Sequence, residues 1–198
     1  MQQAVALLGS NAVCSLVLSF SLLLLKVEKK TRFDHTRFWE RSLAGAAAAM
    51  AIARQVPGTD KEEIFIAGLL QNIGNIYYDA QLFPTAIDYY QRALKAEPAN
   101  TGVRTDMATA YWYTGDADTA IAEFQKSLSY EPTKANTLFN LGIVEWQGKM
   151  DIDKATAAWQ KLLDTNPNYE AKDKVLELMA QAKKHSGVKP GTPAKPLQ

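Results

Sequence analysis

Soft metal ligands are nearly missing from this chain. One cysteine, Cys14, and two histidines, His35 and His185, are spread over 198 residues. A structural zinc site needs four such ligands, and a lone cysteine permits no internal disulfide. Cys14 stands in an apolar run, where a thiol behaves as a small buried hydrophobe. An excess of one charge is also missing. The balance of 22 Lys+Arg against 21 Asp+Glu gives +1, which leaves no basic footprint for nucleic acid. Glycine loops that cradle phosphate are absent, since neither G-x-x-x-x-G-K-[ST] nor G-x-G-x-x-G occurs. With so few histidines and cysteines, a Ser/His/Asp or Cys/His arrangement has little to draw on. Acidic pairs such as Glu62-Glu63 fit the first turn of a helix, where the dipole favours them. No enzyme and no cofactor are expected.

What is present suits one or two small helical domains. Hydrophobic residues make up 47% and charged residues 22%, enough for a core and a solvated surface. The segment 4–25 carries no charge and is long enough to cross a bilayer, and Lys26, Lys29 and Lys30 follow it. However, Gly9-Ser10-Asn11 interrupts that run with residues that favour a helix break and a new N-cap, and the start lacks a positive leader region. Two soluble helices are the preferred reading, with a membrane anchor as the alternative. In either case "SLVLSFSLLLL" is apolar nearly all round and must be buried in something.

A period runs through the middle of the chain. Gly74, Ala108 and Gly142 are 34 apart, and Ala86, Ala120 and Ala155 follow at 34 and 35. Pro98, Pro132 and Pro167 keep the same spacing, as do the aromatics Tyr90, Phe124 and Trp159. The extra residue of the third unit falls near "QGKMDID", between its two helices. Each unit puts small residues where two helices would cross, which lets the backbones approach. Gly74 goes with Ala86 and Ala93, and Ala108 with Ala120 and Ser127. The prolines past the second helix mark where that helix must stop. Pro84 suits a first helical turn, and Asp116 and Asp151 suit N-caps. The third unit departs from the pattern, with Glu145 in place of an aromatic and Leu162 in place of a small residue.

This pattern resembles the tetratricopeptide repeat, a helix–turn–helix unit of 34 residues. The resemblance covers 67–167, in units 67–100, 101–134 and 135–167. It implies an all-α, right-handed superhelix in which the first helix of each unit lines a concave groove holding a peptide or partner helix. Matched by register, the groove would use Gln71, Asn75 and Tyr78, then Thr105, Thr109 and Trp112, then Asn136, Phe139, Ile143 and Trp146. Trp112 and Trp146 could equally pack between units. Repeats that clamp chaperone C-terminal carboxylates carry a lysine and arginine pattern. Asn75 fits it, but Gln71, Asn136 and Asn140 do not, so no carboxylate clamp is expected.

A stack of repeats needs a cap over its last apolar face. Val175, Leu178, Met179 and Ala182 recur at helical spacing, giving an expected capping helix over 168–185. The stretch 186–198, rich in proline and glycine, has no core pattern and reads as a disordered tail.

Upstream, "AVALLGSNAVCSLVLSFSL", "FWERSLAGAAAAMAIARQV" and "TDKEEIFIAGLLQNIG" follow one another, with Thr59 and Glu62 at capping-box spacing. Together they resemble an HDOD domain, an all-helical bacterial signalling module related to HD-type phosphohydrolases, over about 3–76. The unit assigned to it is 1–66, a partial copy that joins the first repeat within one helix. In HD phosphohydrolases a histidine on one helix and a His-Asp pair on another hold metal ions. The resemblance puts Arg41 at the first position and Gln71-Asn72 at the pair. Arginine cannot ligate a cation, and amides replace imidazole and carboxylate poorly. A non-catalytic regulatory or binding role is implied, with no metal. His35 reads as a surface or capping residue.

The expected function is a cytoplasmic protein-binding scaffold or adaptor in bacterial signalling, with a protein or peptide partner and no nucleic acid. The last repeats also look similar to bacterial repeat proteins of envelope and cytochrome-maturation pathways, which often carry an N-terminal anchor. That alternative would make 4–25 the anchor. A natural fusion, an engineered chimera and a misassembled reading frame would each produce such a spliced chain.

Overall fold

The computed structural model describes residues 61–184. Seven α-helices fill this span: α1 (Lys61–Asp79), α2 (Phe83–Ala96), α3 (Thr101–Tyr113), α4 (Ala117–Tyr130), α5 (Ala135–Lys149), α6 (Ile152–Thr165) and α7 (Lys172–Lys184). Each packs on its chain neighbour, and α3 also touches α5, so three antiparallel hairpins stack in one direction. Among the described residues there is no strand. The readings on Cys14, His35, His185, Arg41, Thr59, the segment 4–25 and the tail 186–198 lie outside the described residues.

The helix starts and stops follow local chemistry. Pro84 occupies the first turn of α2, where its missing N–H is not needed. Asp116 caps α4 by accepting the Thr119 N–H at 3.0 Å, and Asp151 caps α6 by accepting the Lys154 N–H at 3.0 Å. Asn100 does the same for α3 through the Val103 N–H at 3.1 Å. Helix α1 begins ahead of position 67 and runs unbroken through Gly74 to Asp79.

The turns inside the three hairpins are closely related. In the first, Leu82 N–H donates to the Tyr77 carbonyl and Gln81 N–H to that of Tyr78. The second repeats this with Asp116 to Tyr111 and Gly115 to Trp112. Both are Schellman closures, in which a left-handed residue satisfies the last carbonyls of a helix. That residue is Gln81 (φ 60°) in one and Gly115 (φ 88°) in the other. The third hairpin uses Met150 (φ 56°), and its outer bond runs from Asp151 N–H to the Glu145 carbonyl, one residue wider. The 35-residue spacing of the third unit is this widened turn.

Small residues lie at the helix crossings. A Cβ on Gly74 would meet Tyr90 Cε1 at 2.6 Å, and one on Gly142 would run into the Trp159 indole. Ala86, Ala108, Ala120 and Ala155 are fully buried. Ser127 is also buried, and it joins Thr105 (3.2 Å) and Thr137 where α3, α4 and α5 meet. Leu162 fills the third core alongside Val175, Leu178 and Ala182 of α7. That helix caps the stack but starts at Lys172, not at 168. Residues 166–171 form turns instead, with Tyr169 N–H donating to Asn166 O and Lys172 N–H to Tyr169 O.

Candidate partner-binding groove

The first helices of the hairpins, α1, α3 and α5, lie side by side and are joined by side chains. The Tyr78 ring of α1 sits 5.9 Å from that of Tyr113 on α3, tilted against it. Phe83 completes this cluster, 5.4 Å from Tyr78 and 4.7 Å from Tyr113. Between α3 and α5, the Asn140 amide donates to the Thr109 hydroxyl at 3.2 Å. Thr109 in turn donates to the Thr105 carbonyl at 2.9 Å.

The structure sorts the ten residues proposed for this face. Gln71, Asn75, Tyr78 and Thr109 are partly exposed, and Asn136 is exposed. Asn75 is held in one orientation, because its Oδ1 accepts the Tyr90 hydroxyl at 2.8 Å and its NH₂ group is left to donate. Phe139, Ile143 and Trp146 are half-buried along the third core. Phe139 faces Tyr169 at 6.3 Å, and Trp146 meets Trp159 edge-on at 6.0 Å.

Two of the ten require correction. Trp112 is only 6% exposed and belongs to the second core. Its ring fills the space over Gly148 of α5, where a Cβ would lie 2.8 Å from it. Thr105 is 4% exposed, and its hydroxyl is tied to Thr137 at 2.7 Å and to the Thr101 carbonyl at 2.7 Å. Neither offers surface to a partner.

Sequence reasoning missed the most unusual group on this face, Asp106 of α3. Burial pushes its carboxyl up to about 6, with Lys134 opposing the shift and Asp79 adding to it. Among the described residues it makes no ion pair or hydrogen bond. Tyr78 and Tyr90 are raised as well, chiefly by burial and further by Asp106 and Asp79. A faint signal existed, since Asp106, Thr109 and Tyr113 recur at helical spacing and share one face. Also unforeseen was Arg104, 4% exposed. It pairs with Glu123, donates to the Pro98 carbonyl at 2.6 Å and lies over the Tyr130 ring, fastening α3 to α4.

Gln71 and Asn72 stand on α1 as partly buried amides. Among the described residues no group of three or more His, Cys, Asp or Glu side chains could hold a metal ion. No described helix is long and apolar enough to cross a membrane.

Comparison with known proteins places this architecture. The family model described as HDOD domain matches residues 1–113, more than half of the 198. The chain belongs to the HDOD family. A tetratricopeptide repeat model matches 105–169, so the two matches meet within α3. The HDOD match thus extends past the 3–76 stretch and takes in the first helical hairpin. Among solved structures, the first TPR of Spaghetti (RPAP3) bound to HSP90 peptide SRMEEVD is similar at TM-score 0.56 and 20% identity, covering 65% of this chain and 99% of that one. The MamA protein is similar at 0.52 and 16%, covering 73% and 84%. These likenesses establish the fold, a tetratricopeptide-type superhelix. Hsp70-Hsp90 organizing protein 2 of Arabidopsis thaliana is 27% identical over 95 residues, 48% of this chain. Photosystem I assembly protein Ycf3 of Synechococcus sp. (strain WH7803) is 29% identical over 101 residues, 43% of this chain. The matches span 16% and 58% of those relatives' own lengths.

Proposed function

We propose that this chain is a non-catalytic adaptor that holds a protein partner, as an extended peptide or a helix, against the face made by α1, α3 and α5. The observation that carries this is the continuity of that face. Tyr78–Tyr113 and Asn140–Thr109 join the three helices, leaving Gln71, Asn75 and Asn136 accessible beside half-buried aromatics. Such a mixture of oriented amides and aromatic rings is what recognition surfaces use. Solved structures of the same fold hold peptides, SRMEEVD in the first TPR of RPAP3 and SGPTIEEVD in the second. The working units are 67–100, 101–134 and 135–167, downstream of the HDOD-like piece at 1–66. The replacement of HD-type ligands by Arg41, Gln71 and Asn72 supports a binding role for the HDOD-like stretch 3–76 too, in cytoplasmic bacterial signalling.

The test pairs the intact chain with a Gln71→Arg/Asn136→Arg variant in affinity capture, with folding checked by circular dichroism. Asn136 is exposed and Gln71 partly so. Partners captured by the intact chain and lost by the variant support the groove; identical captures sink it. A second reading, an assembly factor, is favoured by the similarity to Ycf3. In that case the captured proteins would be subunits of one complex in an incomplete state, and with 4–25 as an anchor they would sediment with membranes.

A further inference from the structure

We propose that the groove is occupied by a segment of its own chain, residues 185–198, laid as an extended strap across the ends of α5, α3 and α1, which a partner must displace. This rests on the groove reading above and adds how access to that groove is controlled.

The chemistry of the segment is the first argument. It reads HSGVKPGTPAKPLQ. Pro190, Pro193 and Pro196 recur at a spacing of three. A polyproline II helix has three residues per turn, so the prolines fall along one edge of it. Proline carries no N–H, so the segment offers more carbonyl acceptors than donors. Its charged side chains are Lys189 and Lys195, and it holds no aspartate or glutamate.

The second argument is the surface that meets it. Tyr78 is the last but one residue of α1, Tyr113 is the last of α3, and Trp146 lies in the final turn of α5. These rings are half-buried, so each leaves some surface open to solvent. Phe83 extends the row, 4.7 Å from Tyr113, and Leu82 beside it is 51% exposed. Aromatic-lined grooves are the sites that polyproline segments dock into. Asn75 adds a donor, because the Tyr90 hydroxyl occupies its Oδ1 and leaves its NH₂ group for a carbonyl of the segment. Lysines are not repelled here. Lys149, which ends α5, is drawn to Asp118 of α4 at 2.7 Å, and no groove position named above is a lysine or arginine.

The third argument is reach. Short turns join packed neighbours, so successive helices alternate in direction and α7 ends on the side where α1, α3 and α5 end. Met179 of α7 and Trp146 of α5 pack against the same core, so the segment leaves Lys184 beside the third unit of the groove. From α7 to α1 is three helix spacings, about 30 Å. In polyproline II form the segment covers about 40 Å, at about 3.1 Å per residue. A tether this short holds it at an effective concentration of order millimolar, so even a weak contact is populated.

The test is a fluorescence anisotropy titration of a labelled, amidated peptide of residues 186–198 against three forms of the full chain. These are the natural chain, a Pro190→Ser/Pro193→Ser/Pro196→Ser variant, and that variant with Gln71→Arg/Asn136→Arg added. The serines lie outside the helices, and circular dichroism checks the fold of all three. The peptide is expected to bind the serine variant about tenfold more tightly than the natural chain, whose own segment competes, and to lose the groove variant. Equal affinity for the first two forms, or no binding to either, would overturn the inference, and the affinity capture above would still decide the groove reading by itself. Binding that survives the two arginines would place the segment elsewhere and overturn it too. A natural chain that sediments as a dimer while the serine variant is a monomer would put the segment on a second copy, which contradicts occupation within one chain.

Discussion

Gly74 of α1 lies against the ring of Tyr90 of α2 so closely that a Cβ would come within 2.6 Å of Cε1 and 2.7 Å of Cδ1. Tyr90 cannot easily retreat. It is 1% exposed, and its hydroxyl is bonded to Asn75 one residue along α1. One contact thus sets both the spacing of the first hairpin and the orientation of a groove amide.

Gly74→Ala is therefore expected to destabilise the protein. The better helix propensity of alanine favours the variant by about 1 kcal/mol. Overpacking against a locked ring costs more, about 2–3 kcal/mol. A net loss of about 1–2 kcal/mol in urea unfolding is the expected outcome. A variant as stable as the natural chain would show that the crossing is looser than described.

Trp112→Ala should behave as a core truncation, with a loss of about 3–5 kcal/mol. The ring is buried over Gly148 and holds the second and third hairpins together. Thermal unfolding followed by circular dichroism would register the loss as a large fall in midpoint. An unchanged midpoint would return Trp112 to the surface.

The turn at Gln81 offers a change of the opposite sign. This exposed residue adopts φ 60°, a conformation that costs a non-glycine residue about 1 kcal/mol. Gln81→Gly is expected to be neutral to about 0.5–1 kcal/mol stabilising, because relief of strain offsets the greater freedom of glycine when unfolded. Urea midpoints decide it, and a clear loss would mean that the Gln81 side chain has a role in the turn.

Asp106 gives a pH-dependent prediction. Its carboxyl titrates near 6 in the folded chain against an ordinary 3.8, so the folded state binds the proton more tightly. The penalty is absent below about pH 4, grows as pH rises through 6, and is complete above it. Asp79, Lys134, Tyr78 and Tyr90 surround the group, and only Lys134 opposes the shift. Asp106→Asn should thus stabilise the fold at pH 7 by roughly 1–3 kcal/mol and have little effect at pH 3.5. Equal effects at both pH values would contradict the raised pKa.

The repeats were legible because their signals are local or strictly periodic. The caps Asp116 and Asp151, Pro84 in its first turn and the extra residue before Asp151 can each be read from a few neighbouring letters. The groove was less legible, as two tryptophans show. Trp112 and Trp146 occupy the same register position, yet one is buried and the other half-buried. The difference comes from the next element. Trp112 meets Gly148, whose missing side chain makes room for the ring, whereas the third repeat is followed by the cap α7 and not by another hairpin. Thr105 was misread for the same reason, because its partners Ser127 and Thr137 stand on two other helices. Asp106 looks like an ordinary solvent-facing acid until the helices around it are assembled.

The central claim is that partners bind on the face of α1, α3 and α5. The most direct measurement is photocrosslinking from two positions of the full chain, Asn136 on that face and Gln125 on the outer helix α4, each carrying a benzophenone amino acid. Both side chains are exposed, so neither substitution should disturb the fold. Crosslinks to a common partner from position 136, with none from 125, are the predicted result. Crosslinks from 125 alone, or equally from both, would contradict the account.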